Sequence, residues 1–282
     1  MRDDFAVFIL THGRADNVVT ARTLAVQGYT GKTYIVIDNE DDQEAKYREI
    51  YGDKVLKFDK LAVSKTFDTM DISDDRRTIV YARNACFDLA ESVGVKYFLE
   101  LDDDYQMFEH RWIEHEKLMT KKFSCLDAVF EAMVDFLIDS GADTVAFAQG
   151  GDFIGGKNGG AYNKKILRKA MNTFFCSTEK RFKFLGRINE DVNTYTRLGS
   201  IGWLGLTVTD ADIVQKQTQK NSGGMSGVYI DSGTFVKSFY TVMGMPSCVQ
   251  VSMMGDKHKR MHHSVSWDYC VPKILDERYR KC

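Results

Sequence analysis

Tyr97-Phe98-Leu99-Glu100-Leu101-Asp102-Asp103-Asp104 is an apolar run, suited to a core strand, that ends in three consecutive carboxylates. Three acidic side chains at the end of a buried strand repel one another, and a divalent cation is the common means of holding them together. A cation so placed suits a diphosphate. An isolated Asp-x-Asp also serves as an acidic turn after an edge strand, so the meaning of this one depends on what accompanies it: a nucleotide-type strand upstream, a Glu-Asp pair downstream and paired histidines late in the chain.

Working outward, Phe5 to Leu10 and Thr33 to Ile37 are short apolar runs. Between them Thr20 to Gln27 carries a helical pattern closed by Gly28. Strand, helix, strand at this spacing predicts a parallel α/β unit with right-handed crossovers. Cys86, Leu89, Ala90 and Val93 fall at i, i+3, i+4 and i+7, so a helix is expected over about 83–93, stopped by Gly94 and feeding the Tyr97 strand. Leu126, Val129, Phe130, Met133 and Leu137 repeat the period up to Ser140-Gly141, and a strand is expected at Thr144 to Ala148. The fold class is therefore α/β, with a mainly parallel central sheet flanked by helices.

Beyond this the alternation weakens. Gly150 to Gly160 holds six glycines, with Lys157 and Asn158, and reads as a loop able to approach a ligand or act as a lid. Asn221 to Gly227 repeats that character, and Gly199 to Gly205 reads as a glycine-rich strand. With 282 residues, 44% hydrophobic, no repeat and only two prolines, one globular unit over 1–282 is expected, with halves at 1–149 and 150–282. Arg2, Asp3 and Asp4 precede the first strand in place of a signal peptide, and no apolar run reaches the roughly 18 residues of a membrane span. A soluble, cytoplasmic protein with no membrane partner and no obligate protein partner is expected. Six cysteines without a CxxC pair read as reduced core residues. Formal net charge is −2, so any nucleic-acid surface must be local.

In an open parallel sheet, ligands bind where the loops at the carboxyl ends of the strands converge. Thr11, His12, Gly13 and Arg14 follow the first strand, and Asp38 ends the second, where a carboxylate suits a ribose hydroxyl or base imino group, or else a turn cap. There is no GxGxxG after the first strand and no GxxxxGK[ST], which leaves cation-assisted diphosphate binding. Asp102 and Asp104, flanking Asp103, suit Mn²⁺ or Mg²⁺, hard cations that need few protein ligands. Glu190-Asp191, in Gly186-Arg187-Ile188-Asn189-Glu190-Asp191, offers a general base at a helix start, or simple charge complementing the helix dipole. Arg260-Met261-His262-His263 sets two imidazoles beside Lys257, Lys259 and Arg260; His263, ahead of His262, is the candidate third metal ligand.

The order of these parts resembles that of the GT-A glycosyltransferases, through Ile9-Leu10-Thr11-His12-Gly13-Arg14, Ile37-Asp38, Tyr81-Ala82-Arg83-Asn84, the Asp-x-Asp, Glu190-Asp191 and the late histidine. More narrowly, Phe174-Phe175-Cys176, Gly186 to Tyr195 and Met261 to Trp267 resemble the TET-associated glycosyltransferases of bacteriophages, a family that attaches sugars to 5-hydroxymethylated pyrimidines in phage DNA. The resemblance implies that Asp38 contacts uridine, Arg83 the nucleotide or diphosphate, Asp102 the ribose or metal and Asp104 the metal. It implies that Asp191 is the base, with Glu190 the other choice, and that His263 or His262 completes the metal site. The wider pattern often has Tyr or Asn where His12-Gly13 stands.

The function so implied is transfer of a hexose, glucose from UDP-glucose, to 5-hydroxymethylcytosine in phage DNA, in the cytoplasm of the infected bacterial host. Lys164, Lys165, Arg168 and Lys169, then Lys180, Arg181, Lys183 and Arg187, with Phe174, Phe175, Phe182 and Phe184 interleaved, suit phosphate contacts and base stacking; a solvated helix face and a core strand would give the same pattern. Two other enzymes share the donor half: a GT-A enzyme with a polysaccharide acceptor, distinguished by no salt-sensitive DNA affinity, and a nucleotidyltransferase, distinguished by product mass. A non-catalytic DNA-binding module would need no metal.

Overall fold

A computed structural model describes residues 1–215, 226–254, 259–270 and 277. Lys257, Cys282 and the stretch 221–225 lie outside the described residues. In chain order the elements are β1 (Phe5–Leu10), α1 (Val19–Val26), β2 (Lys32–Asp38), α2 (Glu44–Tyr51), β3 (Val55–Phe58), α3 (Lys60–Ser64), α4 (Val80–Ser92), β4 (Tyr97–Asp102), β5 (Tyr105–Glu114), β6 (Lys117–Lys122), α5 (Leu126–Ser140), β7 (Thr144–Gln149), α6 (Gly160–Asn163), β8 (Ile166–Leu167), β9 (Phe174–Ser177), α7 (Glu190–Gly199), β10 (Gly205–Gln215), α8 (Ser226–Gly244), β11 (Val249–Met254), β12 (Arg260–Val265) and α9 (Trp267–Cys270).

One sheet carries the order β3-β2-β1-β4-β9-β7-β10-β5-β6, with β8 on β10. Strands β1 to β4 are mutually parallel, and β7 pairs in parallel with β10. β9 wedges between β4 and β7, antiparallel to both, and the β5–β6 hairpin closes the far edge. Strands from both sides of residue 149 thus share one sheet. The apolar runs predict the parallel strands; they do not predict the antiparallel wedge, because β9 is reached through short turns and α6 and not by a crossover helix.

Both faces of the sheet are covered, which is why β1 reads as six consecutive buried residues and not as an alternation. Phe5, Val7 and Ile9 point toward α1, α2 and α5, while Ala6, Phe8 and Leu10 point toward α4 and α7. α5 ends where Gly141 turns left-handed at φ +69°, as the Ser140-Gly141 pair predicts. The Gly199 to Gly205 stretch is not a strand: it spans the end of α7 and a turn, and β10 begins only at Gly205. The Gly150 to Gly160 loop holds two short 3₁₀ turns, the first capped by Gln149 and Asp152. Of the six cysteines, Cys86, Cys176, Cys248 and Cys270 are buried free thiols and Cys125 is an exposed one. Among the described residues no helix is long and apolar enough to cross a membrane.

Candidate active site

The parallel register brings the carboxyl ends of β1, β2 and β4 to one edge: Leu10 sits level with Val36 and with Asp102, and Asp38 with Phe58. A cavity of about 610 Å³ opens there, within the usual range for small-molecule sites. Its wall includes Thr11, His12, Arg14 and Asp38 from the first two strand ends, and its far side Asp102, Asp103 and Asp104. Lys60 and the segment Arg77 to Ile79 complete it.

The three aspartates do different things. Asp103 is buried, accepting hydrogen bonds from Thr11 Oγ1 at 2.7 Å and Arg14 Nη1 at 2.9 Å. It therefore fixes the β1 loop with both oxygens. Asp102 accepts from Arg83 Nη2 at 2.9 Å and keeps about a quarter of its side chain exposed to the cavity. Burial, with Asp104, Glu190 and Asp103 adding to it, pushes the Asp102 carboxyl up to about 7 against the pull of Arg83. Crowded carboxylates of this kind are relieved by a cation.

At the second strand end, Asp38 Oδ2 lies 2.8 Å from His12 Nδ1 and 3.0 Å from Lys60 Nζ, with Asp38 and Lys60 both nearly inaccessible. Burial tends to raise the Asp38 carboxyl, but His12 and Lys60 outweigh it and hold it below the ordinary range. The hydrogen bond to Asp38 in turn raises His12. Its other oxygen accepts from Glu40 N, a turn cap, so both readings of Asp38 describe its surroundings. Tyr47 of α2, donating or accepting at Thr11 and accepting from Arg14 N, ties the same loop.

Glu190 and Asp191 open α7 after a tightly bonded turn. Asn189 is left-handed at φ +57° and donates from Nδ2 to Lys237 O and to Thr241 Oγ1 of α8. Asn193 Nδ2 donates back to Leu185 O and Ile188 O, and Gly186 at φ +81° makes room for it: a Cβ there would meet Asn193 Nδ2 at 2.2 Å. Glu190 accepts from Arg83 Nε at 3.1 Å. Asp191 Oδ1 accepts from Val192 N at 2.7 Å, and burial beside Glu190 pushes its carboxyl up to about 6. Lys237, which burial pulls below the ordinary lysine range, faces both carboxylates.

His262 and His263 stack at 4.4 Å on β12, which packs against α8. His263 is nine-tenths buried, its Nδ1 has no hydrogen-bond partner, and burial, His262 and Lys237 bring it down to about 4, so the ring is neutral as a ligand must be. Neither histidine lines the cavity. Among the described residues no three ligand-type side chains gather around one point. Asp102 and Asp104 on one cavity wall nevertheless fit a cation held mainly by substrate phosphates, since Mg²⁺-type sites commonly use one or two carboxylates.

The basic segments separate. Lys164, Lys165 and Arg168 are exposed, with Lys165 paired to Asp210 at 2.8 Å. Lys180 and Arg181 follow β9, whose Ser177 is level with Tyr97 at the start of β4, so they lie at the amino edge of the sheet, away from the cavity. There Lys180 donates to Gly141 O, and Arg181 pairs with Asp88 and Glu91. Lys183 lies against Thr66. The interleaved phenylalanines do not form a stacking platform: Phe174, Phe175 and Phe184 are buried on the two faces of the sheet, and Phe182 packs between Phe87 and Trp203. A strand covered on both faces turns all of its side chains into core.

Lys60, Tyr47 and Lys237 join the site with no motif to announce them. Glu100, a charge inside an apolar strand, was the one visible signal; nothing local marks Lys60 or Lys237, which distant folding brings in.

A mainly parallel sheet with an acidic strand end over a cavity places the chain among α/β proteins that bind a ligand at the carboxyl ends of their strands. A family match over residues 5–224 makes the particular assignment: the chain belongs to the TET-associated glycosyltransferase family. Similar solved structures include glucosyl-3-phosphoglycerate synthase from Mycobacterium tuberculosis with Mg²⁺ and UDP (10% identity, 93% of this chain and 87% of that one, TM-score 0.45). They also include TarS of S. aureus (14% identity, 74% of this chain and 36% of that one, TM-score 0.44). No curated protein sequence matches significantly.

Proposed function

We propose that this glycosyltransferase moves a hexose, glucose from UDP-glucose, onto the hydroxymethyl group of 5-hydroxymethylcytosine in DNA. The observation that carries the reading is one cavity that holds His12 and Asp38 at the ends of β1 and β2 and Asp102 and Asp104 at the end of β4, with Glu190 of α7 joined to Asp102 through Arg83. The family match supports the acceptor class.

In this reading Asp38 and His12 take the uridine, and Arg14 and Lys60 add positive charge beside the phosphates. A Mn²⁺ or Mg²⁺ ion on Asp102 and Asp104, with His263 or His262 as a further ligand, would neutralise charge on the departing diphosphate. The acceptor hydroxymethyl oxygen attacks C1 of the sugar, the bond from C1 to the diphosphate oxygen breaks, and the hydroxyl proton passes to the Asp191 carboxylate. One displacement inverts the anomeric carbon. Glu190, held by Arg83, is the less available base.

The test is incubation with hydroxymethylcytosine DNA, Mn²⁺ and a panel of UDP-sugars, followed by nucleoside mass measurement. A gain of one hexose is expected. Gain of a nucleotide, or transfer only to a carbohydrate acceptor, would replace the proposal.

A further inference from the structure

We infer that Arg83 is a positioning residue that clamps the acidic end of β4 to the first turn of α7, and not a ligand of the nucleotide. The inference rests on the transferase reading above. Arg83 lies in the first turn of α4 and is 1% exposed. Its neighbour Ala82 reaches the cavity wall; Arg83 does not. Every guanidinium nitrogen is directed at a protein carboxylate: Nη2 at Asp102, Nε at Glu190, and Nη1 at Glu100, 3.6 Å away without a hydrogen bond. The guanidinium carbon sits 4.7 Å from the Phe174 ring centre and 5.9 Å from that of Phe184. A planar cation bracketed by rings and three carboxylates is fixed in position and orientation.

What it joins matters. Asp102 and Glu190 come from elements 88 residues apart in sequence. Glu190 is the immediate neighbour of Asp191, and Asp102 stands two residues from Asp104. One side chain therefore sets the spacing between the wall that takes the donor's diphosphate and the helix turn that carries the base. Misplacement of reacting groups by about 1 Å can cost about a hundredfold in rate. Glu100 lies 3.6 Å from Nη1, and burial pushes its carboxyl up to about 8 against the pull of Arg83.

Lysine keeps the charge, but its three donors sit on one nitrogen and lack the planar fork that reaches Asp102 and Glu190 from separate atoms. Arg83→Lys and Glu190→Gln are compared with wild type in three measurements: melting temperature in EDTA, UDP affinity by calorimetry with Mn²⁺, and steady-state transfer. The clamp predicts that Arg83→Lys binds UDP within threefold of wild type while kcat falls at least thirtyfold. Combined with Glu190→Gln, the losses should be far from additive, because both changes weaken one link: the amide keeps the Nε contact and loses its charge. Glu190→Gln can still accept from Nε and should melt near wild type, keeping the test open if Arg83→Lys folds poorly. UDP affinity falling thirtyfold or more in a folded Arg83→Lys protein would make Arg83 a diphosphate ligand and overturn the inference, as would additive losses. Wild type that binds no UDP would instead sink the transferase reading itself.

Discussion

At the residue scale, the two carboxylates of α7 are told apart by their partners. Glu190 is committed to Arg83, while Asp191 accepts from the Val192 amide, and burial beside Glu190 pushes its carboxyl up to about 6. A base must be ionised to act, so kcat should rise with pH through about 6 and level off above it. Asp191→Asn should remove that limb and lower kcat by about a hundredfold or more, with UDP affinity little changed; a pH–rate series on both proteins checks this. Asp104→Ala should abolish Mn²⁺-dependent UDP binding without moving the melting temperature, as calorimetry and thermal unfolding would show. His12 and Asp38 predict a stability signature. His12 is raised above 6.5 in the folded protein, so its contribution is complete below 6.5 and is lost as pH rises through the folded value. Asp38 is lowered below 3.8, so its contribution is present above 3.8 and is lost as pH falls through the folded value. Their joint contribution is greatest between these limits, and His12→Gln should flatten the decline in melting temperature on the alkaline side. Residues such as Thr11, Asp38 and Asp102 were legible because a strand end is a local feature. Lys60 and Lys237 were not, because each meets its carboxylate partners only after tertiary folding.

At the element scale, periodicity located β1 to the residue, since six buried positions in a row leave nothing else for the chain to do. α4 shows the limit of that method. The apolar spacing marks a helix from Arg83, but the helix begins at Val80, within the core, so Arg83 lies in a buried first turn and not at the helix start. β9 was visible only as aromatics among cations, a pattern shared by a stacking surface and a core strand; burial on both faces decides for the core. The turn before α7 is an element whose sequence states its own geometry. Gly186 holds φ +81° against the Asn193 amide. Gly186→Ala should cost about 1–2 kcal/mol for the left-handed backbone and about 1 kcal/mol for each Asn193 hydrogen bond it displaces. A loss of about 2–4 kcal/mol in urea unfolding is expected, together with reduced kcat, because the same turn sets the position of Asp191.

At the scale of the whole molecule, the proposed DNA acceptor requires a chain of net charge −2 to hold it through a confined surface. The two basic segments are not equivalent candidates. Lys180 and Arg181 lie at the amino edge of the sheet, away from the cavity, and are engaged with Gly141, Asp88 and Glu91, whereas Lys164, Lys165 and Arg168 are exposed around β8, with Lys165 paired to Asp210. Each phosphate neutralised contributes about −0.9 to the slope of log K against log salt on duplex DNA. If the exposed segment makes about three such contacts, the slope should be about −3, far shallower than for a dedicated DNA-binding protein. Charge reversal at Lys164, Lys165 and Arg168 should weaken binding of hydroxymethylcytosine duplex and bring the slope toward zero. The same change at Lys180 and Arg181 should leave both nearly unaltered. Fluorescence anisotropy across about 50–200 mM salt measures this. A wild-type slope of zero alongside intact UDP binding would mean that the donor half serves a different acceptor, because no duplex can be held at its phosphates without releasing counterions.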